Sequence, residues 1–354
     1  MLDQSKIQEL NKIAKQMVAE GKGILAADES MNTVGKRFAS ISLENTEDNR
    51  RAFREMLLMA PGESEYVSGV ILHDETIRQK TGSGKSFVEI LQSEGILPGI
   101  KVDLGLMPMP GSPDEQLTKG LDGLGDRLKE YVALGAKFCK WRSVTTIGQG
   151  MPTDANIAQN AKDLAAYALI CQENGLVPMV EPEVLLDGEH NMAQAKEATT
   201  KILTALFEEL KNAGVAVEGI ILKSSMVLPG KKSGLKATPQ EVAKETVEVF
   251  NKTLPANLAG VVFLSGGQGD IEATENLNAI NQLGKQNWPL TFSYARALQD
   301  AATKQWKGAK ENLEAAQKVF IHRAKMNSLA SMGKYSADLE AGFEASDSAS
   351  ASQN

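Results

Sequence analysis

At 354 residues and 38.0 kDa, the chain exceeds an average domain but suits a single α/β barrel with extensions. Hydrophobic residues make up 42%, enough for a sizeable core, while 38 basic against 45 acidic residues leave a net charge of −7, which argues against nucleic acid or an anionic membrane as partner. Two cysteines, Cys139 and Cys171, exclude a disulfide scaffold and fit a reducing cytosol, and His73, His190 and His322 lie too far apart in sequence for metal-type spacing.

The first predicted element is an amphipathic helix, with Leu2, Ile7, Leu10, Ile13, Ala14 and Val18 at helical spacing. Asp3, Glu9 and several lysines interrupt it, so it does not read as a signal peptide. No stretch approaches the roughly 20 apolar residues of a membrane span. Eight β-like runs follow in order: KGILAAD (22–28), SGVILHD (68–74), LPGIKVD (97–103), AKFCKWR (136–142), LVPMVEPE (176–183), EGIILKSS (218–225), GVVFLSGG (260–267) and PLTFSYA (289–295). Most are continuously apolar, as strands buried on both faces are. The intervening segments are long enough for crossover helices. One of them is predicted to start with Thr238 as N-cap, Pro239 at the first helical position and Glu241 completing a capping box. Eight evenly spaced β–α units without a Gly/Ser linker favour a closed (β/α)8 TIM barrel over a doubly wound sheet. The stretch 29–67 and the segment after 325 read as decorations. Residues 1–342 are expected to form one barrel domain with an N-terminal helix. The small, polar run 343–354 is expected to be a flexible tail.

Polar residues gather at the C-terminal ends of the predicted strands, the face where barrel active sites lie. They are Asp28, then Lys101 and Asp103, Lys140 and Arg142, Glu181 and Glu183, Lys223, the Ser265-Gly266-Gly267 turn, and Ser293 with Arg296. Residues spaced i, i+2 on a strand share a face, so each of these pairs can point both side chains at the mouth. Any one charge after a strand is as readily a solvated loop residue; seven strands ending alike are not.

Lys223 leaves the apolar strand GIIL directly. In a partly dry site beside Lys140 it becomes a candidate amine nucleophile for a Schiff base, although most lysines merely snorkel to water. Glu181 and Glu183 offer acid/base capacity, or a plain ion pair. LSGGQG (264–269) is a Gly-rich turn suited to an anion, and Arg296 could fork onto phosphate oxygens. GSGK (82–85) lacks the full P-loop pattern and reads as a surface turn. Met107, Pro108, Met109 and Pro110 read as a loop. Lys36, Arg37, Arg50, Arg51 and Arg54 read as solvated helix faces, and Cys139 as core facing away from Lys140.

Together these residues resemble the class I fructose-bisphosphate aldolases. The likeness covers nearly the whole chain, through GKGILAADES (21–30), ENTEDNRRAFREML (44–57), LPGIKVD (97–103), KFCKWR (137–142), VEPE (180–183), LKSSMV (222–227), FLSGGQ (263–268) and FSYARALQ (292–299). The resemblance implies a Schiff base on Lys223 and acid/base work by Glu181 with Glu183 beside it. It implies a catalytic cluster completed by Lys140, Arg142 and Asp28. Phosphate contacts fall to Ser265, Gly266, Gly267, Ser293 and Arg296, and substrate binding to Lys101. Arg37 and Arg50 match positions linked to substrate phosphate. The implied reaction is reversible cleavage of fructose 1,6-bisphosphate to dihydroxyacetone phosphate and glyceraldehyde 3-phosphate. It needs no metal or other cofactor, and the enzyme would be a cytoplasmic homotetramer. Alternatives are a sedoheptulose-bisphosphate or other Schiff-base sugar-phosphate aldolase, or a catalytically silent barrel used for binding. The sequence departs from the family at three places: LKSSMV stands where LKPNMV is common, Ala295 stands for Gly, and the sequence ends in Asn354 where many members have a terminal tyrosine. Ala295 keeps its N–H available if its φ is negative.

Overall fold

A computed structural model describes residues 2–341 and 343. Ten strands run in chain order: β1 Gly23–Ala27, β2 Val67–Leu72, β3 Leu97–Lys101, β4 Leu106–Met109, β5 Ser112–Thr118, β6 Phe138–Thr145, β7 Val177–Val184, β8 Ile221–Ser224, β9 Val261–Phe263 and β10 Leu290–Tyr294. Eight of them close into a parallel barrel in the order β1-β10-β9-β8-β7-β6-β3-β2, and these are the eight runs expected from sequence. Their burial on both faces explains why they lack alternation: β1, β2, β7, β8, β9 and β10 are buried at every residue. β6 and β7 run past the expected ends, to Thr145 and Val184, in one unbroken parallel register.

The segment read as a loop from Met107 to Pro110 is instead half of an antiparallel hairpin, β4–β5. A two-stranded ribbon leaves one edge of each strand unpaired, so Pro108 costs it no ladder bond. The helix at Pro239–Thr253 starts as expected, with a Thr238–Glu241 capping box.

Side-chain alternation divides the core. Ile24, Ile71, Phe138, Val177, Met179, Ile221 and Val262 fill the barrel interior, and Leu10, Ala14 and Met17 of the N-terminal helix Gln4–Met17 join the same cluster. Phe138 needs the glycine opposite it: a Cβ on Gly99 would stand 2.2 Å from its ring. Cys139 and Trp141 face outward and pack among the surrounding helices, as the i, i+1 alternation requires. This alternation sends Phe138, Lys140 and Arg142 inward, one above the other, toward the mouth. Of the expected tail, Phe343 stacks on His322 with ring centroids 4.1 Å apart; residues 344–354 lie outside the described part.

Candidate active site

At the C-terminal mouth of the barrel lies a cavity of about 620 Å³, lined by Asp28, Lys101, Asp103, Lys140, Arg142, Glu181, Glu183, Lys223, Ser265, Gly266, Ser293, Arg37 and Arg296 among others. Nearly every residue expected at the site therefore faces one space. Its floor is a buried ionic chain. The Lys140 Nζ sits 2.7 Å from Asp28 Oδ2 and 3.2 Å from Glu181 Oε2, and the Lys223 Nζ sits 3.1 Å from Glu181 Oε1. Lys140, Lys223, Glu181 and Asp28 are each at most 7% exposed. The Glu181 Oε2 contact to Lys140 has ion-pair distance without hydrogen-bond alignment.

Burial alone would raise the Asp28 carboxyl, but the positive charges of Lys140 and then Lys223 outweigh it and hold the group well below the carboxylate range. Burial likewise opposes the Lys140 ammonium, and Asp28, Glu181 and Asp103 reverse the effect, keeping it charged far above the ordinary lysine range. Next to the chain, Arg142 is bonded to Glu183 through its Nε. Lys101 lies 2.7 Å from Asp103 Oδ1.

Beyond β9, the chain turns through Gly266 (φ 51°) and Gly267 (φ 93°), both left-handed. The Gln268 N–H closes the turn on Ser265 O at 2.9 Å, while the amides of Ser265, Gly266 and Gly267 have no acceptor among the described residues. Beside the turn starts the helix Arg296–Trp306, whose N-cap Ala295 offers no side-chain cap. Ala295 has a negative φ, −101°, so the position does not require glycine, and its N–H stays available. The Ser293 hydroxyl is buried without a partner in the cavity wall. Free amides, an uncapped helix start, an orphan hydroxyl and a guanidinium are groups chemically suited to an anion.

The other departure, LKSSMV, has its own structural use. The Ser225 hydroxyl accepts from Val184 N–H at 3.1 Å and donates to Val184 O at 3.2 Å, tying the end of β7 to the end of β8.

Arg50 does not reach the cavity. Its Nε and Nη2 donate to the two Glu75 carboxylate oxygens at 2.8 and 2.7 Å, and this bidentate pair occupies the guanidinium. Arg54 is not on a solvated face either: it is 3% exposed, lies over the Phe53 ring at 5.2 Å and pairs with Glu29 at 2.8 Å. Glu29, which follows Asp28, carries no signal of its own in the sequence. It also pairs with Arg37 at 2.8 Å, and so clamps two guanidiniums at the edge of the cavity, which Glu29 and Arg37 line. Burial would raise the Glu29 carboxyl; Arg54 and then Arg37 bring it below its ordinary value. Glu29→Gln leaves two buried cations short of a partner, so equilibrium denaturation is expected to show a loss of about 3–5 kcal/mol. A loss below about 1 kcal/mol would mean that the two arginines find other acceptors.

Among the described residues no group of three or more His, Cys, Asp or Glu side chains is placed to hold a metal ion, and no helix is long and apolar enough to cross a membrane.

A family model described as fructose-bisphosphate aldolase class-I matches residues 9–354. The chain is 54% identical over 329 residues to fructose-bisphosphate aldolase 4, cytosolic, of Arabidopsis thaliana, covering 93% of this chain and 84% of that one. It is 51% identical over 337 residues to fructose-bisphosphate aldolase of Dictyostelium discoideum, covering 94% of each. Among solved structures it superposes on fructose-bisphosphate aldolase from Plasmodium falciparum, crystallised in complex with TRAP and a small-molecule inhibitor. There the TM-score is 0.94 at 48% identity, over 95% of this chain and 97% of that one.

Proposed function

We propose, for a chain that belongs to the class I fructose-bisphosphate aldolases and cleaves fructose bisphosphate, that Lys223 forms the Schiff base and that Glu181 and Asp28 divide the proton transfers. The observation that carries this is the buried contact of 3.1 Å between Lys223 Nζ and Glu181 Oε1, at the head of the chain Lys223–Glu181–Lys140–Asp28.

The Lys223 ammonium passes a proton to Glu181 and the freed amine adds to the ketone carbon, C2; a second proton moves from the added nitrogen to the alkoxide oxygen, giving a carbinolamine. Glu181 then returns its proton to the departing hydroxyl, so that water leaves and a C2 iminium forms. Asp28 stands one lysine farther along the chain, where it reaches C4 rather than C2. Its carboxylate takes the C4 hydroxyl proton as the C3–C4 bond breaks. The bonding pair flows into the iminium, giving an enamine, and glyceraldehyde 3-phosphate departs. Protonation of the enamine at C3 and hydrolysis of the iminium release dihydroxyacetone phosphate and regenerate Lys223. The iminium is the electron sink, so the reading calls for no metal or organic cofactor. Lys140 stays positive throughout, a fixed charge between the two carboxylates.

The phosphate on C1, one bond from the imine carbon, falls to the turn of Ser265, Gly266 and Gly267 with Ser293 and Arg296. That turn follows β9, next to the strand of Lys223. The phosphate on C6 falls across the mouth, to Lys101 on β3, diametrically opposite β9 in the strand order, and to Arg37. We further propose that the enzyme acts in the cytoplasm as a homo-oligomer, a tetramer by family membership, with no nucleic-acid or membrane partner.

Borohydride reduction with dihydroxyacetone phosphate, followed by peptide mapping, tests the assignment. The expected adduct is on Lys223; an adduct on another lysine overturns it. A panel of ketose bisphosphates, sedoheptulose bisphosphate included, tests the substrate, with fructose 1,6-bisphosphate expected to turn over best. Arg296→Ala is expected to raise KM about tenfold, the low end for a charged hydrogen bond because Arg296 is exposed in the free site. An equal effect on unphosphorylated sugars would show that Arg296 does not contact phosphate.

A further inference from the structure

Lys231 belongs to none of the motifs described above. It opens a short 3-10 turn, Lys231–Ser233, in the loop after β8. That loop is pinned to the loop after β7 through backbone bonds. The Gly230 N–H donates to His190 O at 2.8 Å, the Lys231 N–H to Leu186 O at 2.9 Å and the Lys232 N–H to Gly188 O at 2.9 Å. The seam is so close that a Cβ on Gly230 would stand 2.2 Å from Gly188 O. The backbone under Lys231 is therefore fixed, and its side chain crosses to the Gly-rich turn after β9. There the Lys231 Nζ lies 3.3 Å, and the Arg296 Nη2 3.5 Å, from the point where a Cβ on Gly267 would stand.

Two cations, one from a loop and one from a helix start, thus converge on one glycine. Neither has a carboxylate partner among the described residues, whereas Lys101, Lys140, Lys223 and Arg142 at the same mouth all do. Like charges brought together without a counter-ion repel, and a dianion placed between them relieves the repulsion while gaining two contacts. Lys232, next in sequence, shares the loop and the exposure but makes no such approach.

We propose that Lys231 is a further substrate-binding residue. It closes, together with Arg296, over the phosphate held by the Ser265–Gly267 turn, and it selects substrates with a phosphate dianion beside the ketone. The proposal rests on the reading of that turn as the C1-phosphate cradle. It makes the loop after β8 part of the specificity apparatus, so the strand that carries the nucleophile also delivers a phosphate contact.

The test compares Lys231→Ala, Lys231→Arg and Lys232→Ala in the full chain, with fructose 1,6-bisphosphate as substrate and inorganic phosphate as competitive inhibitor. Lys231→Ala is expected to raise KM and the phosphate inhibition constant together, by about fivefold, the scale of an exposed charge contact, with kcat within twofold. Lys231→Arg is expected to restore both constants. Lys232→Ala, with the same change in net charge, is expected to leave both unchanged. An unchanged KM in Lys231→Ala, or an equal rise in Lys232→Ala, overturns the proposal while borohydride trapping on Lys223 continues to support the reading of the site. A wild-type enzyme that traps no dihydroxyacetone phosphate overturns that reading, and the proposal with it.

Discussion

Lys223→Met is expected to abolish both cleavage of fructose 1,6-bisphosphate and borohydride trapping while leaving the barrel folded. Methionine keeps the length and apolar stem of the side chain but has no amine, so the covalent intermediate cannot form and the reaction loses its electron sink. The fold survives for a specific reason. Glu181 loses its partner at 3.1 Å but still lies 3.2 Å from Lys140, so it keeps one cation beside it. The site of Lys223 is 4% exposed at the end of an apolar strand, and a methionine there fills the volume without an unpaired polar atom. Removing one member of a buried pair costs about 3–5 kcal/mol, so the variant is expected to be destabilised on that scale and still to fold. Activity is to be measured together with circular dichroism and a denaturation curve. Residual trapping mapped to Lys140 would move the nucleophile to β6; an unfolded variant would show that the Lys223–Glu181 pair holds the barrel together. Lys223→Arg serves as the second variant: it restores the charge beside Glu181 and is expected to remain inactive, because a guanidinium does not condense with a ketone under these conditions.

The barrel was legible in the sequence because each of its strands is covered on both faces, so the strand runs are apolar throughout and the charges stop at one end of them. Asp28, Lys140, Glu181 and Lys223 show that logic: each interrupts or ends an apolar run on the same rim. What stayed hidden depends on partners far away in the chain. Arg54 sits on a helix rich in charges and looks solvated; only the packing of Glu29, 25 positions earlier, makes it a buried ion. Arg50 has the same local appearance, and its occupation by Glu75 is a tertiary event. The hairpin at Met107 was obscured by Pro108 and Pro110, residues that argue against a strand unless its edge is free. Lys231 carries no local signal, because its relation to Gly267 arises from two loops meeting across neighbouring strands. Sequence pattern thus gives the residues that a strand aims; it is silent on those that loops bring together.

Asp28→Asn is expected to lower kcat by about a hundredfold or more, the scale of a positioned proton carrier, with a smaller effect on KM. The amide matches the carboxylate in shape but cannot accept the C4 hydroxyl proton. Because Lys223 and Glu181 remain in contact, iminium formation with dihydroxyacetone phosphate is expected to persist. The variant therefore separates bond cleavage from Schiff-base formation. Stability responds as well, since Lys140 loses a partner at 2.7 Å and keeps only Glu181 at 3.2 Å; removing one member of a buried pair costs about 3–5 kcal/mol. The pH dependence has a definite sign. The Asp28 carboxyl is held below its unfolded value by Lys140 and Lys223 against the opposing effect of burial, so its contribution is complete above about pH 5 and declines as pH falls below the unfolded carboxylate value of about 3.9. The gap in unfolding free energy between wild type and Asp28→Asn is thus expected to be constant from pH 7 to pH 5 and to narrow below pH 4. A gap that widens on acidification would show that Asp28 is not an ionised partner of Lys140. Full cleavage activity in a variant that still traps dihydroxyacetone phosphate would assign the C4 proton to Glu181 instead.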